Sequence, residues 1–325
     1  MAVVYLAEQT DPVKRQVAIK IIKLGMDTKQ VTARFESERQ ALAVLDHPHI
    51  AKVFDGGVTD SGRSYFVMER VHGIPITDYC DKTRLDTKER IELFLDVCSA
   101  VQHAHLKGLV HRDLKPSNIL VAATDGKPHV KIIDFGIAKA TGTSFTEKTL
   151  FTKIGQIIGT PQYMSPEQAG VTGLDVDTRS DIYSLGVVLY ELLVGALPLD
   201  LTALGEQAVR FALLENDPPK PSTRITQLDD TKEEIAKARA TDVQTLRRQL
   251  TGDLDWVVLR AMAKDRTRRY ETANALATEC RRFLDHQPVL ARPPSPGYVL
   301  RRFVRRNRTS VIAASIALLA IIAGA

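Results

Sequence analysis

His111-Arg112-Asp113-Leu114-Lys115-Pro116-Ser117-Asn118 is followed, sixteen positions after Asn118, by Asp134-Phe135-Gly136. Between the two phrases lie Ile119-Leu120-Val121, a loop tip at Asp125-Gly126, and Val130-Lys131-Ile132-Ile133. Two short β-rich runs around a glycine turn predict loop, strand, turn, strand, loop. A hairpin of that kind holds Asp113, Asn118 and Asp134 on one rigid support, facing one cleft. Three oxygen-bearing side chains there suit hard Mg²⁺, which takes carboxylates together with phosphate oxygens.

These residues resemble the catalytic loop and metal-binding motif of the protein kinases. The H-R-D-L-x-x-x-N pattern is matched without a gap, and D-F-G follows in the right order. The resemblance covers roughly residues 1–285. It implies an α+β, two-lobed fold: a small β-rich N-lobe over 1–70 and a larger, mainly helical C-lobe over 71–285. It also implies phosphoryl transfer from ATP, which needs positioning and charge neutralisation more than covalent catalysis. Asp113 is then expected to orient the substrate hydroxyl and accept its proton, and Lys115 to steady the γ-phosphate. Asn118 and Asp134 are expected to hold Mg²⁺. Lys115 followed by Pro116-Ser117-Asn118 is the form typical of serine/threonine kinases, and Thr160 in Gly159-Thr160-Pro161 supports the same choice. The expected substrates are protein Ser/Thr hydroxyls.

Val3–Ala7 and Gln16–Ile22 read as β-runs joined by a turn containing Asp11-Pro12. Val17-Ala18-Ile19-Lys20 looks like the kinase V-A-I-K strand, whose lysine grips the α- and β-phosphates. By the same resemblance Val4, Ala18, Met68 (the gatekeeper), Glu69, Val71 and Leu120 are the nucleotide-lining positions, with Glu69, Arg70 and Val71 as the hinge. The Gly-rich loop is represented only by its end: Ala2 stands at the third glycine and Val4 at the terminal valine. The expectation is that the true start lies upstream and that Met1 is an internal methionine. Thr32 to Leu45 has helical periodicity, and Glu38 in it matches the partner of Lys20, with Glu36 the runner-up. A pair at ~4 Å in an effective dielectric of about 20 is worth roughly 4 kcal/mol before desolvation. That can position Lys20 and still be broken when the helix swings. His47 and His49 flank Pro48, which blocks helical presentation of a metal pair. Strands are expected at Ala51–Phe54 and Ser64–Val71, and Leu85–Gly108 reads as a long amphipathic helical stretch whose His103 and His105 are packing or surface groups.

The activation segment runs from Asp134 to Glu167, ending Ser165-Pro166-Glu167 where the family motif is A-P-E. The resemblance pairs Glu167 with Arg269 and makes Asp181 the buried aspartate that binds the backbone of the catalytic loop. Arg112, next to the catalytic aspartate, is a cation awaiting a phosphate, which predicts control by phosphorylation. Of Thr143, Ser144, Thr146, Thr149 and Thr152, we favour Thr149 and Thr152 as autophosphorylation sites. Residues 222–250 read either as an extra surface helix or as a partly ordered insert. Asp253–Ala263 and Thr272–Leu284 read as the closing helices.

Hydrophobic content of 44% in 325 residues supports a real core. Three widely spaced cysteines, Cys80, Cys98 and Cys280, fit neither a disulfide framework nor a zinc site. The net charge of +5 is concentrated: after Asp285 there are six arginines (292, 301, 302, 305, 306 and 308) and no acid. Set apart from the 44 Lys and Arg, they leave 38 basic residues facing 39 acidic ones, so nucleic-acid binding fails on charge location. Pro288, Pro293, Pro294 and Pro296 mark 286–308 as a Pro/Arg-rich juxtamembrane linker. Thr309–Ala325 carries no charge, and as a helix it spans ~26 Å against a hydrocarbon core of about 30 Å. It reads as most of a transmembrane helix, truncated, with a buried core helix as the alternative. No signal peptide is expected, because strand-like sequence follows Met1 directly. The arginines before the apolar run place the kinase domain on the cytoplasmic side of a single-pass anchor. The whole resembles the bacterial eukaryotic-like receptor kinases. The competing reading is a nucleotide-binding pseudokinase scaffold. Among partners, ATP, protein substrates and the membrane are expected, and a homodimer is left open.

Overall fold

β1 (Ala2–Gln9) and β2 (Arg15–Ile22) form an antiparallel hairpin with Val4 opposite Lys20. β2 pairs on its other edge with β4 (Ser64–Glu69), and β4 with β3 (Val53–Val58), giving the order β1-β2-β4-β3. Alternation of β-branched residues in β2 and β4 turns Val17, Phe66 and Met68 into the core. In this computed structural model the described residues are 2–22, 42, 44–124, 126–135, 161–170, 176–202, 204–229, 231–307, 311–313 and 316. The helix expected over Thr32–Leu45 therefore lies mostly outside them, apart from Leu42 and Leu45, which are buried.

A second sheet carries the chemistry. β5 (Ile74–Pro75), β6 (Ile119–Thr124) and β7 (Lys127–Ile132) are antiparallel in that order, with Gly126 (φ 74°) making the tight turn. This is the hairpin expected from the opening motif. The strand expected at Ala51–Phe54 begins later, at Val53. Ile50 and Ala51 are used differently: Ala51 N–H donates to Ile132 O (2.9 Å) and Ile132 N–H to His49 O (2.8 Å). Those bonds tie the segment before β3 to the floor of the second sheet.

The remainder is helical. α1 spans Ile76–Lys82, and α2, Thr87–Leu106, sits inside the predicted 85–108 stretch. Asp86 and Glu89 form its capping box, satisfying N-terminal amides reciprocally. α3 is Pro166–Ala169 and α4 is Thr178–Val194. α4 is apolar nearly all round and is buried on every side, as a central helix must be. Gly186 makes this possible: a Cβ there would lie 2.8 Å from Met262 Cγ and 2.9 Å from Ala261 Cβ.

After α5 (Glu206–Glu215), residues 222–250 prove to be neither a single surface helix nor a loose insert. They form α6 (Pro221–Gln227), α7 (Lys232–Ala238) and α8 (Val243–Leu250), each burying one apolar side through Ile225, Ala236, and Leu246 with Leu250. Two fully buried arginines fasten them to the C-terminal end of α4. Arg239 donates to the carbonyls of Leu193 (2.7 Å), Leu192 (2.9 Å), Ile235 (3.0 Å) and Glu191 (3.3 Å). Arg90 donates to Ala238 O (2.6 Å), Leu85 O (2.8 Å), Cys80 O (3.0 Å) and Leu192 O (3.3 Å), and pairs with Asp81 at 2.7 Å. Orphan carbonyls at a helix C-terminus, with the negative end of its dipole, favour cations there. Burial, followed by the Arg90 charge, brings the Arg239 pKa down to about 10.

α9 (Asp253–Ala261) and α10 (Ala273–Leu284) close the lobe as expected. The three cysteines are buried and unpaired. The stretch expected as a linker, described through residue 307, is instead fastened to the lobe at Ala291, Arg292, Tyr298 and Arg302. It buries Val289 and Tyr298 and contains α11 (Pro296–Arg306). The proline cluster supplies the N1 residue that starts α11. Among the described residues no helix is long and apolar enough to cross a membrane. Most of the expected span, 309–325, lies outside them.

Replacing Arg239 by Met strips donors from four buried carbonyls. The urea midpoint is expected to fall by the equivalent of about 2–4 kcal/mol at unchanged slope, whereas exposed Lys237→Met stays within ~0.5 kcal/mol. Equal midpoints for the two variants would remove Arg239 as the fastening point.

Candidate active site

The loop before β6 is held by one buried acid. Asp181 in α4 is fully buried; its Oδ2 accepts from His111 N–H and its Oδ1 from Arg112 N–H, both at 2.8 Å. His105 Nε2 completes the set, 2.8 Å from Oδ2. Burial would raise the Asp181 pKa, but the hydrogen bond and charge of His105, with His111 and the Arg112 amide, hold it below the ordinary carboxylate range. The two backbone bonds fix Arg112 at φ 69°, a left-handed conformation that costs a non-glycine residue energy. Asp134 shares it, at φ 67°. His111 bridges the two segments: its Nε2 lies 3.1 Å from Ile133 O, and its ring packs on Phe135 at 4.6 Å between centroids.

These constraints bring the predicted side chains together. Lys115 Nζ lies 2.8 Å from Asp113 Oδ2 and 3.0 Å from its Oδ1. Asn118 Nδ2 donates to Asp113 O (2.8 Å) and to Asp113 Oδ2 (3.1 Å). Ile133 N–H donates to Asn118 O at 2.9 Å, so Asn118 and the residue before Asp134 are neighbours across the hairpin. Lys20, arriving from β2, pairs with Asp134 Oδ1 at 2.9 Å. Asp113 keeps 47% of its side-chain surface exposed, while Lys115 keeps 18%. The donor set fits a hard divalent cation. With its amide nitrogen committed to Asp113, Asn118 has its amide oxygen to offer, and Asp134 has the carboxylate oxygen that Lys20 does not take.

The nucleotide-lining positions sort by depth. Ala18 and Met68 face each other across β2 and β4, Ala18 half-buried and Met68 5% exposed. Met68 lines a small apolar pocket with Leu42, Leu45, Phe135 and Asp134, which puts the gatekeeper position beside the D-F-G motif. Val4 is exposed on β1, directly across from Lys20. Leu120 and Val71 are half-buried on β6 and just beyond β4. Glu69 is engaged: its carboxylate takes Lys131 Nζ at 2.9 Å and the Lys52 amide at 3.1 Å. Glu38, Thr149, Thr152 and Thr160 lie outside the described residues.

Behind the loop, Arg269 donates to both Glu167 oxygens, Nη1 to Oε1 at 2.7 Å and Nη2 to Oε2 at 2.8 Å, and both side chains are buried. Ser180 Oγ adds a bond of 2.6 Å. Burial pushes the Glu167 pKa up, yet Arg269 and Ser180 bring it down to about 2. Gln168, next in sequence, donates to Arg112 O at 2.8 Å and so joins this pair to the catalytic loop. The role of Gln168 was missed in the sequence, as was that of His105. His105 is the penultimate residue of α2, and only the fold shows the acid it meets. Tyr163 Oη donates to Glu191 Oε2 at 2.5 Å, another contact that needed the tertiary structure.

A protein kinase domain profile matches residues 1–279, which is most of the chain. The chain belongs to the protein kinase family. It is 36% identical over 279 residues to serine/threonine-protein kinase PknB of Mycobacterium tuberculosis, covering 84% of this chain and 40% of that protein. It is 34% identical over 300 residues to serine/threonine-protein kinase Pkn1 of Myxococcus xanthus, covering 91% of this chain and 38% of the other. A probable serine/threonine-protein kinase of Corynebacterium efficiens is 37% identical over 273 residues, covering 82% and 37%. The chain thus spans about 40% of the length of these kinases.

The Glu167 carboxylate titrates lower in the folded protein than unfolded, so its contribution is complete above pH ~4.5 and is lost as pH falls toward ~2. At neutral pH it is worth about 3 kcal/mol. Glu167→Gln is expected to lower stability by that order at pH 7 and to flatten the acid limb of a pH–stability curve between 4.5 and 2. An acid limb identical to that of the parent would show that the pair does not carry the shift.

Proposed function

We propose that this protein is a serine/threonine protein kinase that transfers the ATP γ-phosphate to protein hydroxyls. One observation carries the reading: a half-exposed Asp113 carboxylate is braced by Lys115 and Asn118 just before the hairpin, and at the hairpin's far end Asp134 meets Lys20 from β2. Asp113 orients the incoming Ser or Thr hydroxyl and takes its proton. Lys115, already oriented by Asp113, neutralises charge on the phosphoryl group in flight. Lys20 moves from Asp134 to the α- and β-phosphates when nucleotide enters, with Glu38 as its second partner. Ala18, Met68, Leu120 and Val71 enclose the base, and Val4 covers it from β1. Asn118 and Asp134 would hold Mg²⁺, which would neutralise phosphate charge.

Phosphorylation sets the activity. Arg112 Nε is buried without a hydrogen-bond partner among the described residues, beside a loop already held in a costly conformation. A phosphate on the activation segment offers it charge-assisted bonds. Autophosphorylation falls on Thr149 and Thr152, and Thr160 is a further regulatory position. The kinase domain is cytoplasmic and is tethered by 309–325 in a single membrane pass, with the preceding arginines on the same side.

With a generic protein substrate, Asp113→Asn is expected to lower Mg-ATP phosphotransfer by at least ~10²-fold while nucleotide affinity stays within about twofold. Chelation of divalent metal abolishes the parent activity, and Mg²⁺ restores it. Parent protein that binds nucleotide without phosphotransfer would favour the scaffold reading. In active protein, mass spectrometry is expected to find phosphate between residues 139 and 160. Its absence there, with activity intact, rules out control through Arg112.

A further inference from the structure

The polypeptide after the last kinase helix is clamped to the lobe in one orientation. Asp253, 3% exposed at the start of α9, accepts from Tyr298 Oη at 2.9 Å and pairs with Arg292 at 3.2 Å and with Arg302. Val289 N–H donates to the same Tyr298 oxygen at 2.9 Å, and Ala291 N–H donates to Glu279 at 2.7 Å. Arg292 also stacks over the Tyr298 ring at 4.3 Å. Tyr298 and Arg302 are one helical turn apart, so this side of α11 faces the kinase.

The opposite side has no protein against it among the described residues. Val299, Leu300, Phe303 and Val304 are 44%, 63%, 50% and 39% exposed. Pro294, Pro296, Val299, Leu300 and Phe303 line one shallow apolar groove. At ~100° per residue, Arg301 and Arg306 fall on the two flanks between the docked and apolar sides. Both are exposed. Beyond α11, Val311 N–H donates to Asn307 O at 2.9 Å, and Ile312 and Ile316 are 58% and 62% exposed. Arginines flanking an apolar stripe, with no acid after Asp285, match an interface whose surface is negative and whose interior is hydrocarbon.

We propose that the outward face of α11 lies on an anionic bilayer surface. Val299, Leu300 and Phe303 sit at the headgroup–acyl boundary, with Arg301 and Arg306 at lipid phosphates. Because the Asp253 clamp fixes the opposite face, contact of α11 with lipid also fixes how the kinase domain is presented to the membrane. This rests on the tether reading only for bringing lipid close; the surface contact is a separate event with a separate readout.

The test uses the full chain in lipid nanodiscs, with Trp256→Phe removing the single native tryptophan. Phe303→Trp reports the surface and Leu318→Trp reports the span. Phosphatidylglycerol brominated near the headgroup end of its chains is expected to quench the Phe303→Trp emission at least about twofold, and brominated phosphatidylcholine clearly less. Deeply brominated lipid quenches Leu318→Trp if the tether reading holds. Quenching at 318 without quenching at 303 overturns the surface proposal and leaves the tether standing. Quenching at 303 alone keeps the proposal and removes the span. Equal quenching at 303 by the two lipids overturns the anionic requirement. An emission shift at 303 that follows protein concentration and ignores lipid assigns the face to a second copy of the chain and overturns the proposal.

Discussion

Asp181 lies within a nearly all-apolar helix, without solvent, and its two oxygens are satisfied by consecutive backbone amides and a histidine. A carboxylate in such a place is tolerated only with full partnering, since an unpaired buried charge costs several kcal/mol. The same requirement acts in reverse on the loop. To bring two successive amides to one carboxylate, the chain at Arg112 takes a left-handed turn, and that turn sends Asp113 out toward solvent. The position of the Asp113 carboxylate therefore follows from how a buried acid in α4 is satisfied.

The other constraints add to that one. Gly186 lets α9 approach α4 closely, so the helix carrying Asp181 cannot shift without a clash. Glu167 and Arg269 are matched in charge and bidentate, and Gln168 passes their rigidity to Arg112 O. At the far end of α4, Arg90 and Arg239 cap its carbonyls and hold α1, α2 and α7 to it. The loop that carries Asp113 is thus braced from behind by polar contacts that are buried and paired.

Among the described residues, several polar contacts join the two lobes. His49 and Ala51 exchange backbone hydrogen bonds with Ile132, and Glu69 reaches Lys131 on β7. Lys20 crosses from the first sheet to Asp134.

Read from residues alone, the hairpin at 119–132, the strand pair at the N-terminus and the long helices near 85–108 and 272–284 were all legible. Each is written in a local period or in a glycine turn that needs no distant partner. The contacts of Asp181 with the catalytic loop and of Glu167 with Arg269 were legible too, through resemblance to a known motif. What the tertiary structure alone decided were the contacts between segments far apart in sequence: His105 with Asp181, Tyr163 with Glu191, Arg239 across the end of α4, and the clamp of Asp253 on Tyr298 and Arg302. Residues 222–250 look polar because most of their side chains face water; only a few buried apolar positions on each short helix join them to the core. The proline- and arginine-rich stretch reads as a spacer because composition reports average polarity, whereas its docking depends on one tyrosine and two arginines reaching a buried acid. A chain records the chemistry that each residue carries, but which groups satisfy one another is settled only when packing removes the water between them.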